Sequence, residues 1–285
     1  MPPKSSSNLI LTLGATAAAV MGGYWAYNRM VEEQAKEPRA RVFESTEDVA
    51  QELCAYVVEK AQESIEKRGI FHLAVAGGSW LELLGGLAQH QHAVDFSKVV
   101  LSFVHHKCGA PLTDTEASNL AQAKAKFADA AGITKFVVPP TSSSTNSSKE
   151  GDGSREAEWY AQQLVAANVP HTGKYPVLDL ILLELGTDGH VGACHPHSVA
   201  ALEMSKGVTG SPQTTTDHDQ SPSITLTLEA MNTARQTCVI ACGTDKKQAV
   251  KRALIRPAEG PRGTFPVQAL SAPLFFLDAE AAALL

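Results

Sequence analysis

The chain has 285 residues, of which 44% are apolar and 19% charged, with a formal net charge of −6. That length and apolar share can bury the core of one large α/β domain or of two small ones, while an acidic balance without a basic stripe argues against nucleic acid as the main partner. Five cysteines (Cys54, Cys108, Cys194, Cys238 and Cys242) are odd in number, scattered and free of any CxxC pair, which argues against a secreted disulfide framework.

Residues 8–27, NLILTLGATAAAVMGGYWAY, carry no charge. As a helix this run would reach about 30 Å, one hydrocarbon core, with Tyr24, Trp25 and Tyr27 at one end as an aromatic belt. Residues 1–30 are therefore expected to anchor the chain in a membrane, and residues 31–44 to form a linker. Arg29, Lys36, Arg39 and Arg41 on the C-terminal flank outweigh Lys4, which places the large domain on the cytosolic side of the endoplasmic reticulum or mitochondrial outer membrane. The alternative is a soluble cytosolic protein.

Ser45-Thr46-Glu47-Asp48 resembles a capping box opening an amphipathic helix to about Arg68, with Gly69 as its stop. Residues 71–76 read as a buried strand, followed by Gly77-Gly78-Ser79 and a helix through Leu87. Strands follow at 99–104 and 136–138, with a helix over 114–131 between them. Residues 141–154, TSSSTNSSKEGDGS, are low in complexity and read as a disordered surface insert. A helix over 155–168 precedes the most strand-like run, 178–185, LDLILLEL. A polar loop spans 207–222, strands cover 224–228 and 237–241, a helix 245–255 and a last strand 274–277. An Ala-rich helix closes the chain. Strands that are continuously apolar and alternate with helices indicate a mostly parallel, Rossmann-like α/β sheet covered on both faces.

In such sheets ligands bind beyond the carboxyl ends of the strands. Two loops occupy that position. Gly77 and Gly78 let the backbone approach an anion, and Ser79 adds a hydroxyl at a helix start, so a phosphate is the natural guest. An ordinary tight turn explains Gly-Gly-Ser alone equally well. In Gly186-Thr187-Asp188-Gly189-His190, the histidine could serve as a general base oriented by Asp188; a turn histidine without a role is the competing reading.

Taken in order, LAVAGGSW, LDLILLELGTDGH, SITLTLEAMNTAR, ACGTDKKQAVKRAL and LFFLDAEAAALL resemble the 6-phosphogluconolactonase family across about residues 42–285, with 45–285 as the domain. The resemblance implies hydrolysis of 6-phosphoglucono-1,5-lactone to 6-phosphogluconate in the oxidative pentose phosphate pathway, without metal or other cofactor. By that resemblance His190 would activate the attacking water with Asp188 beside it. Gly77, Gly78, Ser79, Lys107 and Lys246 would hold the phosphosugar lactone. The related glucosamine-6-phosphate isomerase branch shares the Gly-Gly-Ser and Asp-Gly-His loops, but would need a carboxylate base where this chain has His105-His106.

The chain departs from the family pattern at several positions. His105-His106-Lys107 stand in place of Asp-Glu-Arg, Ser223 in place of an Arg, Glu184 in place of the first glycine of the Asp-Gly-His motif, and Ala193-Cys194-His195-Pro196 in place of Ser-Leu-Phe-Pro. Trp80 follows the glycine turn where a smaller residue is common. The alternative function is therefore a catalytically degenerate relative acting as a membrane-tethered sugar-phosphate-binding or scaffold module. A zinc site drawn from His105, His106, His190, Cys194, His195 and His197 is a third reading. Its spacing matches no established zinc pattern, and adjacent extended histidines point to opposite faces.

Overall fold

The computed structural model describes residues 40–109, 111–114, 118–141, 152–212, 222–255 and 260–285. The anchor expected at 1–30 and most of the insert expected at 141–154 lie outside the described residues. Among the described residues no helix is long and apolar enough to cross a membrane.

Twelve strands are described, in chain order β1 Ala40–Phe43, β2 Phe71–Val75, β3 Val99–Phe103, β4 His105–Lys107, β5 Lys135–Phe136, β6 His171–Thr172, β7 Tyr175–Pro176, β8 Leu180–Glu184, β9 Val208–Ser211, β10 Ser223–Leu226, β11 Thr237–Ala241 and β12 Leu274–Asp278. Seven of them form one sheet in the order β1-β12-β11-β8-β2-β3-β5. Every pairing in it is parallel, as the continuous apolar runs predict. Phe71 to Val75, Leu180 to Leu183 and Thr237 to Ala241 are buried, because helices cover both faces and leave no solvent side for a polar residue.

The helix Thr46–Arg68 begins where the capping box predicts. Ser45 Oγ accepts the Asp48 N–H at 3.1 Å, and Asp48 Oδ2 accepts the Ser45 N–H at 3.1 Å. Gly69 ends it in the left-handed region, at φ 78°, where a side chain would be strained.

Five expectations are corrected. Residues 40–43, read as the end of the linker, are an edge strand paired with β12. The segment after Gly78 is wound as a 3₁₀ helix, Ser79–His90. The run 224–228 does not join the parallel sheet: β10 lies antiparallel between β4 and β9. Residues 208–211, read as loop, are the strand β9, drawn into extended form by pairing with β10 rather than by β-forming composition. The Ala-rich end makes turns after β12 instead of a helix, being too short to nucleate one.

This small antiparallel sheet sits over the carboxyl edge of the large one. The Leu226 N–H donates to the Val104 carbonyl at 2.7 Å, one residue beyond β3. The chain runs from β2 outward through β3 to β5, and from β8 outward the other way through β11 to β12. The direction of winding therefore reverses between β2 and β8, and a crevice opens at their carboxyl ends.

Candidate active site

The two loops singled out in the sequence follow those two strands. β2 and β8 are direct neighbours, and their registry continues past β2, where the Ala76 N–H donates to the Leu182 carbonyl at 2.9 Å. The glycine turn and the histidine turn therefore leave adjacent strands on the same edge of the sheet.

The histidine turn is built around one carboxylate. Asp188 Oδ1 accepts the His190 backbone N–H at 3.0 Å and lies 2.6 Å from His190 Nδ1. An ionised carboxylate only accepts, so Nδ1 carries a hydrogen, and in the neutral ring the lone pair is left on Nε2. Burial pulls the Asp188 carboxyl upward, but the His190 backbone N–H, the His190 charge and the ring hydrogen bond outweigh it and hold its pKa below the ordinary value. The turn closes through Gly189 N–H to Gly186 O and Gly186 N–H to His190 O, both at 2.9 Å. Its two glycines are required by contact: a Cβ at Gly186 would lie 2.1 Å from His190 Nδ1, and one at Gly189 (φ 88°) would lie 2.2 Å from the Phe265 ring.

His195 returns to the same place. A bridge between Val191 and Cys194 folds the chain back. Thr225 Oγ1 accepts the Ala193 N–H at 3.2 Å, and Ser211 Oγ donates to the Ala193 carbonyl at 2.9 Å. The rings of His190 and His195 then stand 4.6 Å apart, and His195 Nδ1 is 3.9 Å from Asp188 Oδ2.

The residues in place of the family's Asp-Glu-Arg divide as extended residues must. Burial pushes His105 down to about 4, and the charges of His190, His106 and His195 oppose its protonation further. His106 is also pushed to about 4, by burial alone. His105 thus shares the electrostatics of the histidine turn, whereas His106 is buried apart from it. Lys107 lies directly across the β4–β10 pair from Ser223, so the positions where the family has two arginines are neighbours here and carry a single cation.

The glycine turn differs from the expectation of open N–H groups. The Gly78 N–H donates to Gln122 Oε1 at 3.2 Å, and a Cβ at Gly77 would sit 2.0 Å from Asn119 Oδ1. Asn119 Nδ2 also donates to the His105 carbonyl at 2.5 Å, joining the turn to β4. Asn119 and Gln122 belong to no motif in the sequence; their spacing of three is the one local signal, placing both on one helix face. Trp80 is buried, and its Nε1–H donates to the Gly77 carbonyl at 3.1 Å. Ser79 is exposed.

Lys246 reaches the site from the turn after β11. Its Nζ donates to Glu184 Oε1 at 3.2 Å and to the Leu185 carbonyl at 2.8 Å. Glu184 Oε2 would be 2.9 Å from a Cβ on Gly78. The acid that replaces a family glycine therefore stands between the glycine turn and Lys246.

Cys194 and His197 leave the imidazole cluster. Cys194 is fully buried toward Ala200 and Leu226, and burial pushes its thiol up to about 12, while His197 sits at a positive φ of 60° on the way to Gly263.

A sequence profile described as glucosamine-6-phosphate isomerases/6-phosphogluconolactonase matches residues 44–273. A protein of Oryza sativa subsp. indica, named probable 6-phosphogluconolactonase 2, is 29% identical over 257 residues, covering 85% of this chain and 88% of that protein. The probable 6-phosphogluconolactonase of Schizosaccharomyces pombe is 35% identical over 206 residues, covering 70% and 77%. The fold is similar to that of the 6-phosphogluconolactonase of Trypanosoma brucei, with a TM-score of 0.71 at 23% identity over 87% of this chain and 98% of that one.

Proposed function

The chain belongs to the glucosamine-6-phosphate isomerase/6-phosphogluconolactonase family; from that premise it is a lactone hydrolase opening 6-phosphoglucono-1,5-lactone to 6-phosphogluconate, and we propose that His190 is its general base. The observation that carries this assignment is the 2.6 Å contact between Asp188 and His190 Nδ1 at the reversal point of the sheet. With Nδ1 committed to the carboxylate, Nε2 takes a proton from water as its oxygen attacks the C1 carbonyl. The tetrahedral adduct collapses with cleavage of the ring C1–O bond, and the imidazolium returns the proton to the departing ring oxygen. Water is consumed, one acid and one hydroxyl are produced, and the histidine is regenerated. The uncatalysed reaction already proceeds in water, so a positioned base and a held substrate suffice.

The family resemblance assigns Gly77, Gly78, Ser79, Lys107 and Lys246 to holding the phosphorylated end of the lactone. Hydrolysis of freshly made lactone, followed by stopped flow for the wild type and His190→Ala, tests the reading. Faster hydrolysis by the wild type than by buffer, lost in the variant, is expected. Equal rates for both, matching buffer, would reject it in favour of the scaffold alternative, which the acid at Glu184 and the missing arginines support.

The finer reading of the chain's organisation belongs here too: a tether within residues 1–30 holding the 45–285 domain on the cytosolic face of a membrane. Its support is the uncharged run 8–27 and the basic flank after it. Release of the full-length chain from membranes by alkaline carbonate would sink the tether; retention of the full chain, with release of a chain lacking residues 1–30, is expected.

A further inference from the structure

Three features around the base have no task in lactone hydrolysis. The first is His195, whose ring packs 4.6 Å from that of His190 and whose Nδ1 lies 3.9 Å from the carboxylate that already serves His190. The second is the compactness of the group. One ligand atom each from Asp188, His190 and His195 lie within 4.8 Å of one another, and among the described residues no other set of three His, Cys, Asp or Glu side chains does so. The third is His105, whose buried Nδ1 has no hydrogen-bond partner.

Two imidazoles and a carboxylate are the donor set of a borderline transition metal, and three protein ligands with an open position are the pattern of an accessible zinc site. The side chains of Asp188, His190 and His195 are 48%, 34% and 29% exposed, so an ion can enter without local unfolding. The loop carrying His195 is pinned by Thr225 and Ser211, which fixes one ligand against the other two. A thiolate contribution is removed by the burial of Cys194 away from the cluster.

We propose that Asp188, His190 and His195 form a binding site for a divalent transition metal of the zinc class, and that an ion held there competes with the use of His190 as a base. Binding stands on these side chains alone; the competition rests on the lactonase reading above. Of the two imidazoles, His195 stands where the family pattern has another residue, so the site is a property of this chain rather than of the lactonase reaction.

Cobalt(II) chloride is the direct probe, because four-coordinate cobalt absorbs in the visible far more strongly than the hydrated ion. The full-length, chelator-stripped protein is titrated with cobalt, without substrate, and then back-titrated with zinc sulfate. An intense visible band saturating at one equivalent and erased by zinc is expected, with at least ten-fold weaker binding in His195→Ala. His195→Gln, which keeps a polar side chain of similar size, guards against misfolding and is expected to bind as weakly. A spectrum that stays that of hydrated cobalt, or unchanged affinity in both variants, overturns the site. In a separate arm, zinc is added to lactone hydrolysis. Inhibition reversed by EDTA, and requiring at least ten-fold more zinc in His195→Ala, is expected. Undiminished turnover at zinc levels that erase the cobalt band overturns the competition and leaves the binding result to be judged by the spectrum. A wild type without lactonase activity would reject His190 as a lactonase base while the cobalt titration still decides the site.

Discussion

Lys246 Nζ lies 3.2 Å from Glu184 Oε1, at the carboxyl end of the strand that leads into the histidine turn. The lysine side chain is 14% exposed and the glutamate 34%, so the pair is partly desolvated and its attraction is only partly screened. On the proposed role of Lys246 as a phosphate ligand, an incoming phosphate would compete with this carboxylate for the ammonium. Replacing Glu184 by Gln or Gly should release Lys246 from the carboxylate, leaving its bond to the Leu185 carbonyl, and remove a like charge from the phosphate's path. One charge-assisted contact recovered is worth about 1.5–3 kcal/mol, so KM for the phosphorylated lactone should fall roughly 10-fold or more with kcat little changed. Steady-state kinetics of Glu184→Gln checks this; an unchanged or raised KM would show that Lys246 does not meet the phosphate.

Asp188 fixes which imidazole nitrogen is basic, as well as where the ring sits. Asp188→Asn keeps an oxygen to accept the His190 backbone N–H, but its amide can donate to Nδ1 and so favour the wrong tautomer. kcat should drop by about 10²–10⁴, with the thermal midpoint shifted little. Circular dichroism beside lactone hydrolysis separates the two effects, and a fall in both together would mean that Asp188 only holds the turn.

Gly186→Ala tests the geometry without touching an ionisable group. The added methyl would lie 2.1 Å from His190 Nδ1 and 2.3 Å from Cε1, so the ring must swing away while the backbone can stay. A misplacement of about 1 Å costs roughly 10²-fold in rate. The expected result is such a loss in kcat at near-normal stability; an active Gly186→Ala enzyme would show that the ring works from another position.

Much of this arrangement could be read from residue order, and the misses share a cause. The capping box at Ser45, the buried run through Leu180–Leu183 and the Asp-Gly-His turn carry their information locally, in hydrogen bonds between residues two or three apart or in burial on both faces. β9, by contrast, contains Gly210 and has no apolar run; it is a strand because β10 lies beside it. The role of Asn119 depends on meeting Gly77 and the His105 carbonyl across the site. Glu184 was legible as a departure from the family pattern, but its partner Lys246 is distant in the chain and visible only once β8 and β11 are neighbours.

His72 should make stability pH-dependent independently of the active site. It is 2% exposed within β2, and its Nδ1 has no hydrogen-bond partner. Burial lowers its pKa; the Asp179 charge pulls the other way and the Arg68 charge lowers it further. The folded chain therefore resists protonation at His72 while the unfolded chain takes up a proton near the ordinary value of about 6.5. Because the unfolded state binds more protons in that window, stability is present above about pH 6.5 and is lost as the pH falls below it toward the lower folded value. His72→Leu removes the group and fills the same buried position with apolar atoms. Denaturant midpoints measured from about pH 7.5 to pH 5.5 should fall less steeply for this variant than for the wild type. Parallel curves would mean that the ring is protonated in the folded chain, shielded by Asp179.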